Sequence, residues 1–198
     1  MATSSPPPEF HPGFERNDEP NTIVLISAQG TKFAVPLSAL ARVSQFFRTM
    51  STIPQAPNSA HGLEDPLAMT ESTETIHYVV AFACGLALPD LVSAEQINSI
   101  LRAADKYDMP GLISVMRIAL QSTVVVQPSL RYIIAARHGW DDIRDAAERA
   151  CLLPNVEIDF DVPDEDFILL KPLLCKQAAQ LQKNPTAKAY YNRLNSGW

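Results

Sequence analysis

Cysteine is scarce in this chain and badly placed for cross-linking. The three cysteines, Cys84, Cys151 and Cys175, are odd in number and far apart. No disulfide framework is expected, and an intracellular compartment, cytoplasmic or nuclear, fits best. Each is expected to be a small buried apolar residue. No apolar run approaches the roughly 20 residues needed to span a bilayer, so no membrane partner is expected. Residues 1–19 lack the apolar stretch of a secretory signal. Positive charge is short too: 16 Lys and Arg stand against 22 Asp and Glu, for a net charge of −6 and a pI near 5.2. Nucleic acid needs a basic surface, so no nucleic-acid partner is expected either. No basic cluster reads as a nuclear signal.

The usual marks of catalysis are also missing. The chain has no Gly-x-Gly-x-x-Gly, no glycine-rich phosphate loop and no Gly-x-Ser-x-Gly turn. None of His11, His61, His77 and His138 lies at i+3 or i+4 from another His or from a Cys. Zinc sites normally show such local pairs, so no metal and no cofactor are expected. The acidic run Asp159, Asp161, Asp164, Glu165 and Asp166 lacks the spacing and glycine of a calcium loop. It reads as a solvated loop leading into a helix at Phe167. The enzymatic alternative is a small enzyme using Cys151 or His138, which requires a polar pocket joining residues distant in sequence; no catalytic residue is assigned.

What is present is enough apolar material for a sizeable core: hydrophobic residues make up 46% of 198. Residues 1–20 are proline-rich (Pro6, Pro7, Pro8, Pro12) and polar, and read as a disordered tail. Thr22 to Ser27 is β-branched and almost continuously apolar, as a buried strand is. Gln29-Gly30 predicts a two-residue turn into a second strand, Thr31 to Val35, ended by Pro36. Leu37 to Ser51 has helical spacing, with Ser44 placed to cap a second short helix. Pro54 to Pro66 reads as a surface loop, and Leu67 to Met69 as a short third strand.

Three amphipathic helices follow. Their stripes are Ile76, Val79, Val80 and Ala83; Ile97, Ile100, Leu101 and Ala104; and Leu112, Val115, Met116 and Ala119. Ser93 with Gln96 forms a capping box for the second. The last third is helical as well: one helix opens at Pro128, and a second opens at Asp141 with the stripe Ile143, Ala146, Ala147 and Ala150. An acidic loop runs from Leu152 to Pro163. A third helix runs from Phe167 to Leu181 with Pro172 in its first turns, and a short last one opens at Asn184-Pro185. The fold class is therefore α+β. A hairpin and a short strand pack with about five helices over residues 21–121, and residues 122–198 form a helical extension.

The order of these elements resembles BTB/POZ domains. The residues that carry the resemblance are Ile23-Val-Leu-Ile26, Gly30-Thr-Lys-Phe33, Val43-Ser-Gln-Phe-Phe-Arg-Thr-Met50 and Ala103-Ala-Asp-Lys-Tyr-Asp-Met109. They follow the family's hydrophobic strand, turn glycine, strand phenylalanine, "SxxF…M" helix and "A-D-K-Y" helix. Residues 128–151 resemble the helical tail after BTB domains in many fungal proteins. The resemblance implies a BTB/POZ fold and a non-enzymatic protein–protein interaction module, an adaptor or scaffold. Its partner would be another protein: a cullin, a second copy of the chain, or a further protein. Candidate contact residues are Phe46, Ile53, Tyr107 and Asp108. Phe47 is expected in the core and Phe46 to be partly exposed.

Two departures from the family matter. Asn21 or Thr22 and Pro36 stand where many members have an Asp and a His, so the charged pocket of transcriptional members is not implied. A proline-rich tail replaces the amphipathic helix that precedes the first strand in dimeric members. The alternative role is that of a substrate adaptor of a cullin-type ubiquitin ligase. Such members often carry a hydrophobic-x-Glu motif after the "SxxF…M" helix. Here Ile53 is followed by Gln55, and Met69-Thr-Glu71 has the letters but lies beyond the loop.

Overall fold

A computed structural model of the chain describes residues 9–16, 21–53, 66–91, 93–122, 127–153 and 164–183. The described residues form eight helices and one three-stranded sheet, an α+β arrangement. The strands are β1 (Thr22–Ile26), β2 (Lys32–Pro36) and β3 (Leu67–Ala68). The helices are α1 (Leu37–Val43), α2 (Gln45–Thr52), α3 (Thr73–Cys84), α4 (Ala94–Lys106), α5 (Pro110–Ser122), α6 (Pro128–Arg137), α7 (Asp141–Cys151) and α8 (Asp164–Lys183). None of the described helices is long and apolar enough to cross a membrane. Two compact units divide the chain, residues 1–119 and 120–198.

In the first unit, β1 and β2 pair antiparallel, from Thr22 opposite Pro36 to Ile26 opposite Lys32. Ile23, Val24 and Leu25 are buried in succession, so both faces of β1 are covered, as its continuous apolar composition requires. The turn is one residue longer than expected. Ser27 N–H donates to the Thr31 carbonyl, and Gly30 N–H donates to the Ser27 carbonyl, both at 2.9 Å. The loop is thus Ala28, Gln29 and Gly30. Its last residue has φ of 89°, the left-handed value that a three-residue hairpin loop needs and glycine supplies at no steric cost. β3 lies parallel to β1 on its other side, in the order β2-β1-β3. The loop reaches α3: Gln29 Oε1 accepts the Thr73 N–H at 2.8 Å, satisfying a donor at the helix start.

The stripes on α3 and α4 are buried as their spacing predicts. The α5 stripe is narrower: Leu112 and Met116 are buried, but Val115 and Ala119 are only half-buried. Ser93 accepts the Gln96 N–H at 3.1 Å, the first half of the expected capping box.

The expectation of disorder across residues 1–20 needs correction for residues 9–16. Ala34 N–H donates to the Phe14 carbonyl at 2.8 Å, and His11 N–H donates to the Lys32 carbonyl at 2.8 Å. Phe14 is only 6% exposed. Two aromatic rings with a free strand edge beside them offset the ordering cost that composition alone predicts. Residues 1–8 and 17–20 lie outside the described residues.

In the second unit, Tyr132 and Ile133 of α6, Ala147 and Cys151 of α7, and Leu170 and Leu173 of α8 form a common core. The α7 stripe is Ile143, Ala147 and Cys151, one residue every four, and Ala146 is exposed. α8 begins at Asp164, three residues before the expected Phe167, so Pro172 lies inside the helix. Asp166 was expected in a solvated loop. It is buried in the first turn of α8 and forms an ion pair with Arg137. Cys151 is buried as expected, Cys84 is half-buried and Cys175 is exposed. The expected loop over 154–163 and helix at Asn184-Pro185 lie outside the described residues.

Candidate interaction site

Ser44 organises the site in the first unit. Its backbone is extended between α1 and α2, which is why one helical pattern becomes two helices. The hydroxyl oxygen accepts the Phe47 N–H at 3.2 Å and donates its hydrogen to the Tyr107 carbonyl at 2.5 Å. Gln45 N–H donates to the Asp108 carbonyl at 3.1 Å. The start of α2 is therefore tied to the end of α4, and both helix termini lose orphan polar groups in doing so.

The end of α4 is a Schellman turn. Asp108 N–H donates to the Asp105 carbonyl at 3.1 Å, and Met109 N–H donates to the Ala104 carbonyl at 2.8 Å. Asp108 sits at φ of 48°, where glycine is the usual residue. Its side chain is exposed. Asp108→Gly is therefore expected to raise the unfolding free energy by about 0.5–1 kcal/mol, and Asp108→Asn to leave it nearly unchanged. Urea denaturation of the two variants checks this. A less stable glycine variant would mean that the carboxylate itself holds the turn.

Tyr107, a candidate contact residue from the sequence, is turned into the core of this unit. It is 2% exposed, and its hydroxyl donates to Glu71 Oε2 at 2.5 Å. Lys106 Nζ donates to Glu71 Oε1 at 2.7 Å and to Thr70 Oγ1 at 2.8 Å. Partial burial pushes the Glu71 carboxyl up, but hydrogen bonds from Lys106 and Tyr107 outweigh it and hold the group below its ordinary value. Burial, and then the Glu71 carboxylate, drive the Tyr107 hydroxyl well above its ordinary value, so it remains a donor. Tyr107 stands out in the sequence, but nothing local links it to Glu71, its partner in the fold. Met69 is buried and Glu71 is engaged, so Met69-Thr-Glu71 belongs to the packing of this unit.

Among the described residues of this unit, the exposed large apolar ones are Phe46, Ile53, Leu86 and Ile118, and the first two lie on and directly after α2. Phe46 is 43% exposed and Ile53 is 61% exposed, while Phe47, beside Phe46 in sequence, is fully buried. Phe46 and the half-buried Met50 fall at i and i+4 on one side of the helix, and Ile53 follows directly as its extended C-cap. The Phe46 ring stands edge-on to Phe47 at 5.1 Å and to Tyr107 at 5.6 Å, so buried aromatics hold it from beneath. Gln45, Thr49, Lys106 and Asp108 are exposed polar residues on the same two elements.

In the second unit, a cleft of about 710 Å³ lies between α6, α7 and α8. Tyr132, Leu169 and Pro172 line it together with Arg144, Glu148 and Lys176. Two of its cations are paired: Lys176 Nζ donates to Glu148 at 2.7 Å, and Arg144 lies 2.7 Å from Asp141. Neither residue named for an enzymatic alternative is among its lining. Cys151 is buried in the core, and burial, then Glu148, push its thiol up to about 11. An attacking thiolate needs the opposite shift. His138 stacks on Trp140 at 4.7 Å.

Compared with known proteins, the chain matches no family model and no curated protein.

Proposed function

We propose that the chain is a non-enzymatic protein-interaction module of the BTB/POZ type, binding its partner through the α2 face that carries Phe46 and Ile53. The observation that carries this reading is a large aromatic side chain, 43% exposed, standing on buried aromatic rings. A rigid apolar anchor inside a polar rim is the usual core of an interface, and aromatics dominate its energetics. The order hairpin, two short helices, short strand, helices agrees with the motif order of the resemblance. Asp108 and Lys106 supply the rim, and the net charge of −6 favours a protein over a nucleic acid.

A cullin-adaptor role is the second reading, because Ile53 is exposed directly after α2. Gln55, which lies outside the described residues, replaces the acidic residue of the motif. A missing charge-assisted contact costs about 1.5–3 kcal/mol, or roughly ten- to a hundredfold in affinity. Calorimetric titration with a cullin N-terminal domain is therefore expected to show no submicromolar binding. Submicromolar binding lost on Ile53→Ala would put the adaptor role first. For the general reading, affinity purification from the native cell is compared between the parent chain and the Phe46→Ala/Ile53→Ala double variant. Specific partners are expected to disappear with the variant while its thermal stability is kept. Retention of every partner would rule this face out.

A further inference from the structure

We propose that residues 9–16 are an acid-released strap over the outer edge of the sheet, latched by the imidazole pair His11 and His77. The strand order β2-β1-β3 leaves β2 at one edge. The strap runs along that edge and satisfies its polar groups: Lys32 N–H donates to the Glu9 carbonyl at 3.0 Å, His11 N–H to the Lys32 carbonyl at 2.8 Å, and Ala34 N–H to the Phe14 carbonyl at 2.8 Å. An edge covered this way is closed to any further extended segment.

Four rings hold the strap down. His11 stacks on Phe33 with centroids 4.9 Å apart and lies 4.2 Å from His77 of α3. Phe14 completes the cluster, 5.6 Å from Phe33 and 5.8 Å from His77. The His11 Nδ1 is 2.8 Å from the Pro12 carbonyl. Neutral imidazoles pack well in such a cluster, whereas two imidazolium ions at this separation repel.

The surrounding charges do not remove that repulsion. On the strap, Glu15 accepts the Gly13 N–H at 3.0 Å, and Glu9 and Arg16 are exposed. Lys32 of β2, over the Phe10 ring, adds positive charge. On α3, Glu74 is engaged by backbone and Ser72 hydrogen bonds in the first turn. Arg42 of α1 donates to the Ala83 carbonyl. Burial, and then His11, hold His77 below its ordinary value of 6.5. A histidine lowered in the docked state contributes to docking above that value, and the contribution is lost as the pH falls.

Hydrogen exchange by NMR on the full chain tests this. Lys32 and Ala34 donate to the strap; Phe33 and Val35 alternate with them and face β1, opposite Leu25 and Ile23, which makes them internal controls. From about pH 7.5 to about pH 5.5, protection of the Lys32 and Ala34 amides relative to the controls is expected to fall at least about threefold. His11→Phe and, separately, His77→Phe keep a ring without the charge; the first is expected to reduce the fall and the second to abolish it. An unchanged ratio in the parent chain, or a fall that persists in both variants, would overturn the proposal.

Discussion

Replacing Phe47 by alanine is expected to lower the unfolding free energy by about 3–5 kcal/mol, whereas replacing its neighbour Phe46 is expected to change it by less than about 1 kcal/mol. The two residues are adjacent on α2 and chemically identical, so helix propensity cancels in the comparison. Phe47 is fully buried, its ring 5.7 Å from Tyr107, and its N–H is the one that Ser44 caps. Removing the ring opens a cavity under the helix–helix junction, and the surrounding side chains relax only partly. Phe46 already has 43% of its surface in water, so its truncation uncovers less buried surface than that of Phe47 and leaves no enclosed cavity. Denaturant titration of the two variants measures the difference. Equal losses would mean that Phe46 is a core residue, and the interaction face would have to be sought elsewhere.

Leu101→Ala is expected to cost about 2–5 kcal/mol, and Leu101→Met less than about 1.5 kcal/mol. Leu101 is fully buried with Ile97, Ile100 and Ala104 on the stripe of α4, which packs against α3. On α3, Ile76, Val79, Val80 and Ala83 are buried in turn. Methionine keeps most of the leucine volume and bends to fit, so only the alanine leaves a void. Far-UV circular dichroism is the suitable readout, because Trp140, the only tryptophan among the described residues, falls in the second unit. An alanine variant with the parent's midpoint would show that the α3–α4 packing contributes little.

These experiments bear on function through the same geometry. The proposed anchor is useful only if it is held still, and a rigid aromatic loses little entropy on binding. Phe47, Tyr107 and Ser44 hold it from below, and the Glu71 carboxylate in turn fixes Tyr107. A loss of stability at Phe47 is therefore expected to weaken binding as well, which is why Phe46→Ala, not Phe47→Ala, is the informative variant for partner capture.

Local, periodic features were legible in the sequence by itself. The hairpin, the stripes of α3 and α4, the break at Ser44, the proline start of α6 and the opposite fates of Phe46 and Phe47 all follow from spacing within one or two turns of the chain. Each depends on which side a residue faces, and the periods 2 and 3.6 settle that without knowledge of the partner. Tertiary structure alone decided whatever needed a partner distant in sequence. It turned Tyr107 inward toward Glu71, drew Asp166 out of an acidic run to pair with Arg137, and started α8 early around that pair. It also laid Phe14 and His11 on the edge of β2, where composition predicted disorder. A polar or aromatic side chain takes its place from the group that satisfies or covers it, and the identity of that group is set by how the chain folds back on itself.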